Sequence, residues 1–156
     1  KKYRRLYPGN EVRLYKAYLV TCTGYDTDEN GNVTCVHATY DPATFGGDAP
    51  DGRKVRGTIH WVSAKENTPL TARIYDRLVN VENPSGVNSF EENLNPDSLT
   101  EKQGYGEVAL ATAKAGDRFQ FMRDGYFCMD KDSAPGAPVF NRTVALRDSF
   151  NIKKNK

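Results

Sequence analysis

The 156 residues carry 22 Lys or Arg against 20 Asp or Glu, a net charge of +2, with 38% hydrophobic residues and a mean hydropathy of −0.70. That length suits one ordinary domain or two small ones, and no apolar run approaches the roughly 20 residues that span a bilayer. Three cysteines, Cys22, Cys35 and Cys128, are an odd number without framework spacing, which excludes a disulfide scaffold and points to free thiols in a reducing compartment.

The chain opens on Lys1 with charge but no apolar stretch behind it, so no secretory signal is expected and the sequence reads as part of a longer one. Its first 16 residues, KKYRRLYPGNEVRLYK, hold six bases and one acid, so the other 140 residues are net acidic. A second basic run closes the chain with Arg142, Arg147, Lys153, Lys154 and Lys156. Basic clusters interleaved with Tyr3, Tyr7 and Tyr15 suit a polyanion that also offers bases to stack on.

From Glu11 to Asp26 the run EVRLYKAYLVTCTGYD is β-prone, and Thr27 to Asn32 (TDENGN) is a hairpin turn. VTCVHATYD returns as a strand, placing Cys35 and His37 on one face with Cys22 nearby. That is a weak zinc pattern without a close cysteine pair, so no metal site is expected. A Gly- and Pro-rich loop, Pro42 to Lys54, precedes a strand over VRGTIHWVSA with Trp61 in the core. PLTARIYDRLVNV is another extended piece, and NPSG at Asn83 to Gly86 marks a break.

Beyond it, NPDSL reads as a turn or helix start with Asn95 as a candidate cap, and the stretch from there to Gly116 is only loosely patterned. DRFQFMRDGYFCMD is two strands around Asp124-Gly125. The last strand, VFNRTVALRDSF, buries Phe140, Val144 and Leu146 on one face and presents Arg147 on the other. Arg142, on the buried side, needs an acidic partner such as Asp148. Strands, turns and almost no helical periodicity mean an all-β protein of two small barrels, over 1–81 and 82–156.

Catalytic patterns are missing. There is no phosphate-binding GxxxxGK[ST] loop, no complete dinucleotide fingerprint and no GxSxG elbow. Nor does any spacing single out a carboxylate pair. No catalytic residue and no cofactor site are therefore expected within the chain, which reads as a binding module.

EVRLYKAYLV, DGRKVRGTIHWVSA, ARIYDRL, NPDSL, FQFMRDGYFCMD and FNRTVALRDSF, in this order and spacing, resemble the C-terminal anticodon-binding region of glutaminyl-tRNA synthetases, class I aminoacyl-tRNA synthetases. The resemblance covers nearly the whole chain. It implies a distal-type barrel over 1–81, and over 82–156 a proximal-type barrel portion, lacking upstream strands, with a basic tail. It also implies a cytoplasmic enzyme that joins glutamine to its tRNA with ATP and Mg2+ in a catalytic domain N-terminal to this region. The implied partners are the anticodon loop of glutamine tRNA and that catalytic domain, with no DNA and no membrane. Two other readings are an archaeal or eukaryotic glutamyl-tRNA synthetase, which shares the barrels, and a barrel that docks other proteins.

Residue by residue, the resemblance places Arg4 and Arg5 against the third anticodon base and nearby phosphates, and Arg13 at the first base. Gln120 reads the central uridine with Arg123 beside that pocket, and Arg147 and Ser149 contact the loop. Tyr15 and Met122 depart from the pattern, standing where an arginine and a glutamate are usual.

Overall fold

The computed structural model describes residues 5–81, 83–86, 89 and 91–146. It is all-β. Among the described residues, nine strands are joined by turns and short 3-10 segments, and no helix is long and apolar enough to cross a membrane. The chain divides into two compact units between Trp61 and Val62.

In the first unit, β1 (Glu11–Leu14), β2 (Leu19–Thr27), β3 (Val33–Asp41) and β4 (Thr58–Ile59) form one sheet in the order β3-β2-β1-β4, with β1 and β4 parallel. The long β-prone run from Glu11 is thus two strands. A tight turn at Tyr15–Ala17 separates them, closed by Leu14 N–H donating to Tyr18 O at 2.9 Å and by Lys16 at φ +55°. No Gly, Pro or Asn marks that turn, so its residue types do not announce it.

Val12, Leu19, Val20 and Cys22 are buried in this unit. Thr44 is fully buried and satisfies two groups. Its hydroxyl accepts from Leu19 N–H at 2.9 Å and donates to Asp41 O at 2.7 Å. The loop after β3 is held by Arg53, whose guanidinium reaches Glu11 (2.9 Å), Asp41 (2.6 Å) and Asp51 (2.6 Å). DGRKVRG is therefore largely a tied loop, and of the strand expected over VRGTIHWVSA only Thr58–Ile59 forms.

In the second unit, β5 (Asn67–Tyr75), β6 (Leu99–Glu107), β7 (Arg118–Phe121), β8 (Gly125–Met129) and β9 (Val139–Val144) form a sheet in the order β6-β5-β9-β8-β7. β5 pairs along its whole length with β6, from Asn67↔Glu107 to Tyr75↔Leu99, and runs parallel to β9. This pairing carries PLTARIY into the second unit. The division between the two units accordingly falls before β5, and NPSG sits within a β5–β6 connection. The loosely patterned stretch contains β6, whose face alternation is obscured by its polar composition. Asn95 caps no helix; it accepts from Asp97 N–H at 3.1 Å and donates to Arg77 O at 2.9 Å.

The core of this unit is Leu70, Leu110, Phe127 and Phe140, with Phe119, Phe121 and Met129 packed against it. Phe140 is fully buried, 5.2 Å from the Phe121 ring and 5.7 Å from Phe119, centroid to centroid. Val144 and Leu146, expected beside it, are 57% and 42% exposed. β9 ends at Val144, after a register shift against β8, so the alternation that buries Phe140 does not continue through the segment. Arg142 has no ion pair among the described residues. It is half-buried, its stem lying over Gly125, where a side chain would collide with it. Asp148 lies outside the described residues.

Candidate RNA interface

On β7 the sequence Arg-Phe-Gln-Phe alternates faces. Phe119 and Phe121 turn into the core, and Arg118 and Gln120 turn outward, both exposed. Gln120 pairs with Tyr126 of β8, so amide and phenol stand side by side on the outer surface, with Tyr126 46% exposed. The turn joining β7 to β8 is Met122–Asp124, closed by Asp124 N–H donating to Phe121 O at 3.0 Å. It lies one step ahead of the Asp124-Gly125 turn expected from the sequence. Arg123 occupies its middle, exposed and at φ +72°, a backbone region unfavourable to a side chain. One hairpin end thus carries both Gln120 and Arg123. Arg118, two residues before Gln120, lies on the same exposed face and was not among the residues singled out from the sequence.

This outer surface has an acidic region as well. Arg73 on β5 is committed to Glu101 (2.9 Å), Asp132 (3.0 Å) and Asp130 (3.6 Å). Hydrogen bonds to Asp132 and Glu101 raise its pKa further, so it stays a fixed cation. The Asp132 N–H and the Asn141 amide hold the Asp130 carboxyl below its usual range. Tyr75 OH donates to Asn141 Oδ1 at 3.2 Å. These groups satisfy one another. On the β7–β8 hairpin, exposed Arg118 has no ion pair among the described residues.

In the first unit, Arg13 lies on β1, between β2 and β4, and its N–H donates to Gly57 O at 2.9 Å. Its guanidinium is 3.5 Å from Asp48, a fully exposed carboxylate, so the contact is one that solvent screens heavily. Arg5 is exposed, and its carbonyl accepts from Asn10 Nδ2 at 3.3 Å within the turn that precedes β1. Arg4, Arg147 and Ser149 lie outside the described residues. Gln120 and Arg123 therefore share one hairpin of the second unit, whereas Arg5 and Arg13 belong to the first.

Trp61, expected in the core, is 45% exposed. Its indole N–H donates to Tyr15 O at 3.1 Å, and the Tyr15 ring meets His60 edge-on at 6.5 Å. Lys16 Nζ lies 5.7 Å from the Tyr15 centroid. Here aromatic surface and a cation stand together, a combination suited to stacking on bases.

Cation, amide and exposed ring are groups suited to single-stranded RNA. The family described as tRNA synthetases class I (E and Q), anti-codon binding domain, matches residues 58–130, and a second model with that description matches residues 1–41. The chain belongs to this family. It is similar to the glutamine–tRNA ligase of Vibrio cholerae (52% identity over 151 residues), of Haemophilus influenzae (50%) and of Escherichia coli (49%). Each match covers 96% of this chain and 27% of the relative. The chain thus spans about a quarter of the length of these ligases. Of the two matched regions, 1–41 lies in the first unit, whereas 58–130 begins at β4, still in the first unit, and runs through β8 of the second.

Proposed function

We propose that this chain is the anticodon-reading part of a glutamine–tRNA ligase. The supporting observation is the roughly half-identical match, along 96% of the chain, to proteins of that name. In this reading a catalytic domain N-terminal to the chain binds ATP and Mg2+ and attaches glutamine, while this chain binds the anticodon loop of glutamine tRNA in the cytoplasm. The chain contributes selection of the tRNA, not chemistry.

The central anticodon uridine is read at the β7–β8 hairpin. A glutamine amide both donates and accepts. Gln120 Nε2 donates to O4 of the base while Oε1 accepts from N3–H, a pairing that cytidine reverses. Tyr126, directly opposite, offers the ring on which the unstacked base lies, and Arg118 and Arg123 balance the adjoining phosphates. Arg13 serves the first base, Arg4 and Arg5 the third base and nearby phosphates, and Arg147 and Ser149 the loop. Guanidinium forks suit both a base edge and a phosphate because their donors are coplanar and fixed.

Binding of glutamine tRNA, and of a copy with cytidine for the central uridine, tested across a salt series, decides this. Gln120→Ala should weaken binding to the natural tRNA about 5- to 150-fold, the range of ~1–3 kcal/mol for a polar group left unpaired, and should erase the preference for uridine. Arg13→Ala should weaken both RNAs. Equal binding of the two tRNAs by the unsubstituted protein overturns the reading.

A further inference from the structure

β2 and β3 form a long hairpin whose end lies beyond the packed part of the first unit. Its register is shifted between Cys22 and Gly24, since Cys22 pairs with Ala38 but Gly24 pairs with His37. Thr23 is the extra residue of a β-bulge, and such a residue turns the following side chains to the opposite face. Unbulged, Asp26 would share the face of Cys22 and Val20, four and six residues back. With the bulge, Asp26 stands directly across from Cys35, and His37, two residues further along β3, joins the same face. The same shift leaves Cys22 buried on the other side, its thiol directed to Gly24 O at 3.5 Å. Cys22, considered from sequence as a neighbour of Cys35 and His37, is therefore excluded, and Asp26 takes its place.

The result is a carboxylate, a thiol and an imidazole, all exposed, whose ligating atoms lie within 4.8 Å of one another. His37 Nε2 is 2.8 Å from Asp26 Oδ2. Zinc bonds to N, O and S ligands are about 2.0–2.3 Å long, so ligand atoms around a tetrahedral ion sit roughly 3.3–3.6 Å apart. Reaching that geometry requires shifts of about 1 Å in exposed side chains. The imidazole–carboxylate contact opens slightly and the thiol closes in.

We propose that Asp26, Cys35 and His37 form a three-ligand site for a borderline-soft divalent cation of the Zn2+ class, with water completing the tetrahedron. Thiolate and imidazole favour Zn2+ over Mg2+ and Ca2+, which take oxygen ligands. An ion bound there links β2 to β3 across the hairpin end. The site is separate from the RNA-reading residues and does not depend on the function proposed above.

The full chain, untagged, is titrated with Zn2+ by calorimetry and with Co2+ by absorption. One ion per chain is expected, together with a near-ultraviolet thiolate-to-cobalt charge-transfer band. Cys35→Ser should abolish that band, and Cys128→Ser should leave it unchanged. His37→Ala and Asp26→Asn should each weaken Zn2+ binding on the order of tenfold or more. Far-UV circular dichroism checks that each variant folds, and Zn2+ should slow amide exchange at residues 24–26 and 35–37. No charge-transfer band, a band that survives Cys35→Ser, or Zn2+ affinity indifferent to all three substitutions overturns the proposal.

Discussion

Gly125 opens β8 immediately after the turn that carries Arg123, and replacing it with alanine tests how that hairpin is held. Its φ is +145°, and a β-carbon there would come within 2.6 Å of the Val144 carbonyl oxygen and 3.2 Å of Arg142 Cδ. Two penalties add. The backbone conformation is one that side chains rarely adopt, at about 1–3 kcal/mol. The collision involves backbone on the neighbouring strand, so relief requires β8 and β9 to part at Tyr126↔Val144, for which overpacking of about 1–3 kcal/mol is a fair measure. We expect Gly125→Ala to destabilise the second unit by about 3–4 kcal/mol, a large fraction of the ~5–15 kcal/mol typical of a domain. Gly116 supplies the control: its φ is +90°, but nothing lies within 4 Å of its would-be β-carbon. Gly116→Ala should therefore lose only the conformational share, about 1–2 kcal/mol. The single tryptophan, Trp61, lies in the first unit. Its fluorescence is therefore a poor reporter here, and amide hydrogen exchange of β8 and β9 in a urea series is the assay. Equal losses for the two variants, or a loss below about 0.5 kcal/mol for Gly125→Ala, would refute the collision argument.

Three further outcomes follow from the same structure. Thr44→Val should cost about 1–3 kcal/mol because it leaves Leu19 N–H buried without an acceptor; Thr44→Ser, which keeps the hydroxyl, should cost roughly 1 kcal/mol in urea denaturation. Hydrogen bonds from Arg53 hold the carboxyls of Asp41 and Asp51 below their ordinary 3.8, helped at Asp41 by the Ala43 N–H. Depressed folded-state values mean stabilisation that is full above pH 3.8 and is lost as pH falls through them. Carboxyl NMR titration should place both inflections below 3.8, and Arg53→Met should return them toward it. Arg118→Ala should weaken tRNA binding without changing base preference and reduce the slope of log affinity against log salt by about 1; an unchanged slope would remove Arg118 from the interface.

Much of the binding chemistry is legible in local sequence because a strand's two-residue period is a local rule. Arg-Phe-Gln-Phe declares which side chains enter the core and which leave it, so Gln120 can be placed outward before any coordinates exist. The same rule, applied two residues earlier, places Arg118 on that outer face. Legibility fails where the period is broken or the polarity is uniform. Trp61 was expected in the core, yet it is partly exposed and its indole N–H donates to the Tyr15 carbonyl. β6 was passed over because LTEKQGYGE has polar residues on both faces.

By itself the sequence determined the all-β class, the β2–β3 and β7–β8 hairpins and the family, since these rest on residue types, turn chemistry and the order of local motifs. Only the tertiary structure decided which strands meet. It carried β5 into the second unit through pairing with β6 and β9, ended the burial of β9 after Phe140, and tied Arg53 to three carboxylates drawn from separate segments. It also brought Asp26 opposite Cys35 through a one-residue bulge. Register and long-range pairing depend on the partner strand's geometry, and a single extra residue reverses every face beyond it.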